Sequence, residues 1–145
     1  MYYLFILAAF VIGLMLAIHL CMNAAVGTII QSAPAGNAVF WWIGAATATL
    51  IWLISPSRSA IANVSSVPPW LWLAGVFGAS LVFGMAALIP RLGAGTAFIV
   101  TLTGQVIASL LISHYGLLGS PQSVITLRKV VGAIMMVIGA TLAIL

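Results

Sequence analysis

The chain has 145 residues, of which 65% are hydrophobic and 3% charged, with four Lys or Arg and no Asp or Glu, for a formal net charge of +4. Soluble domains carry about 25% charged residues, so this composition excludes a water-facing globular surface and a disordered chain alike, and leaves an integral membrane protein. It also excludes paired-carboxylate chemistry, an Asp-supported triad and a carboxylate cage for Ca²⁺ or Mg²⁺, while the single Cys allows neither an internal disulfide nor a Cys-rich metal site.

A transmembrane helix needs about 20 mostly apolar residues, and five stretches meet that requirement, which predicts an all-α bundle in one domain over 1–145. The first spans 2–30 and stops before Gln31, Ser32 and Pro34. It lacks a basic leader, and its apolar run is too long for a cleavable signal, so the whole chain is expected to be mature protein. The second, 38–54, stops at Ser55 and Pro56. The third, 70–89, is entered through Pro68 and Pro69 and closed by Pro90 and Arg91. The fourth covers 93–113, and the fifth covers 125–145.

Each charged side chain falls near a span end, where it can reach the headgroups. The charges are scattered and form no basic patch, so no nucleic-acid partner is expected. With the N-terminus inside, Arg58, Arg128 and Lys129 lie on the cytoplasmic side and Arg91 lies opposite. The positive-inside rule then favours a cytoplasmic N-terminus by so small a margin that insertion in both orientations stays open.

Polar residues inside the spans follow the helical repeat. His19, Asn23, Gly27 and Gln31 recur every four residues and share one face of the first helix. Ala97, Thr101, Gln105, Ser109 and Ser113 do the same in the fourth. Two readings fit: a polar stripe lining a cavity, or groups that bond backbone carbonyls and hold helices together. Gln105 presses the first reading, because an amide near mid-membrane needs several partners. Gly75, Gly78 and Ala79 in the third span, and Gly132 and Gly139 in the fifth, read as close helix-packing positions. Trp41, Trp42, Trp52, Trp70 and Trp72 lie near span ends and read mostly as an interfacial belt, with Trp41 or Trp42 as an alternative cavity wall. No cofactor or metal site is expected, and no nucleophile–base pair suggests an enzyme.

Four segments resemble a known family: the Pro-Trp-Leu-Trp-Leu-Ala-Gly-Val-Phe-Gly-Ala run from Pro69 to Ala79; Pro90, Arg91, Leu92, Gly93, Ala94, Gly95 and Thr96; the stretch from Gly104 and Gln105 through Ser109 to His114, Tyr115, Gly116 and Gly119; and Arg128, Lys129 and Gly132 at the entry to the last helix. Together they are similar to the YdcZ-type, five-helix branch of the drug/metabolite transporter superfamily, which is related to EamA transporters. Relatives often carry Gln where this chain has His19, and Asp where it has Ser113.

The resemblance implies half of a ten-helix fold whose two five-helix halves are inverted repeats. An odd span number forces a fused copy to insert upside down, which suits alternating access around a midplane site. The expectation is therefore an inner-membrane transporter, either an exporter or a facilitator, that works with an antiparallel second copy or an oppositely oriented paralogue. Its substrate cavity is expected to be lined by His19, Asn23, Thr101, Gln105 and Ser109. With no carboxylate available, a small neutral, zwitterionic or anionic metabolite fits better than a naked cation. The alternative is a non-transporting structural subunit of a membrane complex.

Overall fold

The computed structural model describes residues 1–145, and its elements are all helical. Five α-helices follow in chain order: α1 (Tyr2–Ile29), α2 (Ala33–Ile54), α3 (Leu73–Leu92), α4 (Ala94–Tyr115) and α5 (Leu127–Ile144). All five are long and apolar enough to cross a membrane. Large side chains such as Phe5, Phe10, Phe77, Leu102 and Ile138 stand exposed on them. This is the reverse of a soluble fold. In a bilayer the lipid solvates apolar side chains, so helix association rests on close packing and hydrogen bonds rather than on apolar burial.

The chain forms two compact units, Met1–Arg91 and Leu92–Leu145. In the first unit α1 and α2 make a tight helical hairpin. Gln31, with φ 55°, ends α1, and the Ser32 N–H turns back to the Gly27 carbonyl at 2.9 Å. Ser32 is extended and caps α2, its Oγ accepting the Ala35 N–H at 3.3 Å. That cap starts α2 at Ala33 rather than at residue 38, because Pro34 sits in the first turn, where a missing N–H costs nothing. Ser55, which precedes Pro56, is extended and ends α2.

Within the hairpin the backbones touch. A Cβ on Gly36 would stand 2.9 Å from the Gly27 Cα and N, and one on Gly27 would stand 3.1 Å from the Ala33 Cα. Two ties join α2 to α3: the Asn37 Nδ2 donates to the Ala79 carbonyl at 3.4 Å, and the Trp41 ring lies 3.5 Å from where a Gly78 Cβ would be. Leu20, Ala24, Val82, Met85 and Ala86 are the buried apolar residues of this unit.

Between α2 and α3 runs a 3₁₀ segment, Arg58–Ser66, followed by a short 3₁₀ turn, Pro69–Trp72. The helix proper therefore starts at Leu73, after the prolines and tryptophans expected to open it. Pro90 was expected to close this span but lies inside the last turn of α3. There its missing N–H removes one bond, and Gly93, with φ 78° and ψ 153°, makes the actual break.

In the second unit α4 packs on α5. The connection between them is bonded back to the end of α4. The Ser123 N–H donates to the Ser113 carbonyl at 2.8 Å, and the Gln122 Nε2 donates to the His114 carbonyl at 3.2 Å. Lys129, in the first turn of α5, holds the same connection by donating to the Ser123 Oγ and to the Val124 carbonyl at 2.6 and 2.9 Å.

Candidate functional site

The α1–α2 hairpin is not close-packed along its whole length. Beside the glycine crossing it opens into a hollow of about 210 Å³, lined from α1 by His19, Met22, Asn23 and Val26 and from α2 by Gly36, Val39, Phe40 and Ile43. Its walls are almost wholly carbon. Phe40 stacks on the His19 ring, with centroids 5.4 Å apart and planes 22° from parallel. The His19 Nδ1–H donates to the Met15 carbonyl at 3.3 Å, which places the proton on Nδ1. With the proton on Nδ1, the Nε2 lone pair is the ring's available acceptor.

Asn23 is the chemical anomaly of this hollow. It is only 3% exposed, and neither its amide nitrogen nor its amide oxygen has a hydrogen-bond partner. A buried polar group left unpaired costs about 1–3 kcal/mol, and native folds rarely carry one without a reason. Asn37, on α2, shows a milder version: its Nδ2 is bonded, and its buried Oδ1 is not.

The residues expected from the fourth span belong to the second unit. The Thr101 Oγ1 donates to the Ala97 carbonyl at 2.7 Å, and the Ser109 Oγ donates to the Val106 carbonyl at 2.9 Å, so both hydroxyls bond their own helix. Gln105 lies between them at mid-helix on an exposed face. The hollow thus brings together His19 and Asn23, while Thr101, Gln105 and Ser109 sit on α4.

The glycines read as packing positions sort unevenly. Gly78 meets Trp41, and Ala79 takes the Asn37 bond, whereas Gly75, Gly132 and Gly139 face open space. Gly139 borders a shallow groove of about 220 Å³ between α4 and α5, with Thr103 and Met136. Sequence reasoning missed the closest contact of all, Gly27 on Gly36, and missed Phe40 as a wall of the hollow. The available signal was a glycine on each side of the Gln31–Ser32 turn. Of the cations, Arg58 takes the Trp52 indole N–H on its carbonyl at 3.1 Å, and Arg91 donates to the Ala87 carbonyl at 2.9 Å. Arg128 and Lys129 open α5.

Five apolar spans and an inverted solvent preference describe a multi-pass membrane protein. Residues 4–142 match the family described as "Putative inner membrane exporter, YdcZ". The chain belongs to this family. The YdcZ match runs through all five helices, so the whole bundle is the family's unit and not an appendage to it. The family description and the five apolar helices make the chain a multi-pass membrane protein of the exporter class. Neither the curated proteins nor the solved structures include a match to it.

Proposed function

We propose that this chain carries a small neutral, zwitterionic or anionic metabolite across the inner membrane by alternating access, as an antiparallel dimer. The observation that carries this reading is the Asn23 amide, buried without a partner beside the α1–α2 hollow. A carrier needs polar groups that a ligand satisfies in one state and that close against the protein in another. Asn23 supplies a donor and an acceptor, His19 an acceptor, and Phe40 a ring face. No acidic side chain exists to recruit a cation.

The antiparallel partner is supported by Gln105. An exposed amide at mid-helix has no water to bond in hydrocarbon, so its face calls for cover by protein. A second copy or an inverted paralogue provides that cover. The small charge bias of Arg58, Arg128 and Lys129 against Arg91 sets the N-terminus on the cytoplasmic side and permits the opposite insertion as well. Tagging both termini and mapping their sides in cells tests this. A single fixed orientation would rule out the antiparallel homodimer and require an inverted paralogue, and two orientations would favour the homodimer.

The transport test uses proteoliposomes loaded with an equimolar mixture of neutral, zwitterionic and anionic metabolites, with loss of each followed by mass spectrometry. Wild-type protein should empty at least one class, and Asn23→Ala should stop it while remaining folded. Side-chain proton coupling would fall on His19 or His114. The His114 Nδ1 already accepts the Ile125 N–H at 3.1 Å, and facilitated diffusion or exchange needs neither histidine. A pH gradient should therefore leave the rate unchanged. The structural-subunit reading draws on the self-satisfied hydroxyls of Thr101 and Ser109. It gains if the wild-type protein empties none of these classes and Asn23→Ala and Gln105→Ala only destabilise the fold or alter assembly.

A further inference from the structure

A second cavity of about 210 Å³ lies at the loop end of the first unit, bordered by Gly27, by Thr28, Gln31 and Ser32 of the α1–α2 turn, and by Pro90 and Arg91 of α3. Its chemistry is unlike that of the hollow, for it sets the Arg91 guanidinium beside the Gln31 amide and the Ser32 hydroxyl. The Arg91 guanidinium has five N–H groups, and only one bond is drawn from it, from Nη1 to the Ala87 carbonyl at 2.9 Å. That bond steadies a turn which Pro90 leaves without its own helix N–H. The Ser32 Oγ accepts the Ala35 N–H, so its proton remains to be given. The Gln31 amide hangs from a backbone held in the left-handed region by the Ser32-to-Gly27 bond.

No acid in the chain can neutralise Arg91, because the chain contains none. A cation in a recess, with hydroxyl and amide donors beside it and no counter-ion, is a receptor for an oxyanion. The recess sits where two membrane-spanning helices end, at the depth of lipid headgroups.

We propose that this basin binds a phosphate group, with Arg91 as the charged ligand and Gln31 and Ser32 as neutral donors. The site is independent of the transport reading, since it shares no side chain with the His19–Asn23 hollow. The phosphate comes either from a phospholipid headgroup or from a free ion, and binding separates the two. The purified chain is stripped of lipid in a neutral detergent. Native mass spectrometry then measures retention of phosphatidylglycerol against phosphatidylcholine, and thermal unfolding is followed while inorganic phosphate replaces chloride at constant ionic strength.

A lipid site retains phosphatidylglycerol over phosphatidylcholine, and Arg91→Gln weakens that retention about tenfold, the loss expected for one charge-assisted bond. A free-ion site shows a phosphate-dependent rise in the unfolding midpoint that Arg91→Gln abolishes. Arg91→Lys keeps the charge but loses the two-pronged geometry, so it should fall between the two and remain usable if the glutamine variant fails to fold. If wild type and a folded Arg91 variant respond alike to both lipids and to phosphate, the proposal is wrong.

Discussion

The two cavities of the first unit lie beside one contact, the Gly27–Gly36 crossing, and have the same volume of about 210 Å³, yet their chemistry is opposite. The hollow bordered by Gly36 has carbon walls, a His19–Phe40 stack and one hidden amide. The basin bordered by Gly27 has an arginine and two neutral donors at the turn. The difference follows depth. Within the span, lipid and helix exclude water, so a polar group is costly and appears singly. At the span end water and headgroups are near, so cations and turn residues collect. The first unit thereby presents an apolar recess suited to a neutral or weakly polar ligand body in its α1–α2 hairpin and, where α3 meets the turn of that hairpin, a surface suited to an anion.

The sharpest way to break this arrangement is at the crossing itself. Gly36→Ala places a methyl group 2.9 Å from the Gly27 backbone, so the helices must separate and both cavities change together. The expected loss is about 1–3 kcal/mol or more, read as a lower unfolding midpoint in detergent. Gly84→Ala is the control: nothing lies within 4 Å of its Cβ position, and helix propensity predicts a gain of about 0.5–1 kcal/mol.

Asn23→Leu separates stability from activity in the hollow. It removes an unpaired buried amide at similar volume, so the protein should become more stable by about 1–3 kcal/mol while transport is lost. A destabilised Asn23→Leu protein would mean that the amide serves the fold and not a ligand. Gln105→Leu extends the contrast to α4. Interhelical bonds in membranes are worth about 0.6–1.7 kcal/mol, so the dimer's association constant, read by crosslinking, should fall about threefold to twentyfold with the monomer's unfolding midpoint unchanged. An unaltered dimer yield would remove Gln105 from the interface.

The smallest effect is expected at His19. Gln preserves a donor and an acceptor at that position and loses the ring that stacks on Phe40. His19→Gln should keep flux within about threefold, because an exposed-edge stack contributes about 0.5 kcal/mol, whereas His19→Ala should lower it further. Wild-type rates in both variants would show that neither ring nitrogen nor ring face contacts the transported molecule.

Much of the fold was legible from residue types alone, and the exceptions have local causes. Pro34 and Pro90 both looked like helix ends. Pro34 proved to be a first-turn residue because Ser32 caps two positions earlier, and Pro90 a last-turn residue because Gly93 makes the break. The site was legible only in part. Spacing placed His19 with Asn23 on one face, and the structure puts both on one hollow. It placed Thr101 and Ser109 with Gln105 in the same way, but their hydroxyls return to their own helix, which periodicity cannot register. Spacing placed Gly27 on the α1 stripe but could not show its contact with Gly36, because only the antiparallel return of α2 brings the two backbones together.

By itself the sequence determined the membrane class, the five spans, the all-α architecture and the absence of any carboxylate site. These depend on sums over composition and on periods within single helices, which a linear chain contains in full. Tertiary structure decided which glycines bear contact, which hydroxyls are already spent and which amide is left over. Whether a polar group is satisfied depends on what lies across from it in space, and in hydrocarbon, where water cannot stand in for a missing partner, that separates Asn23 from the other polar residues on its stripe.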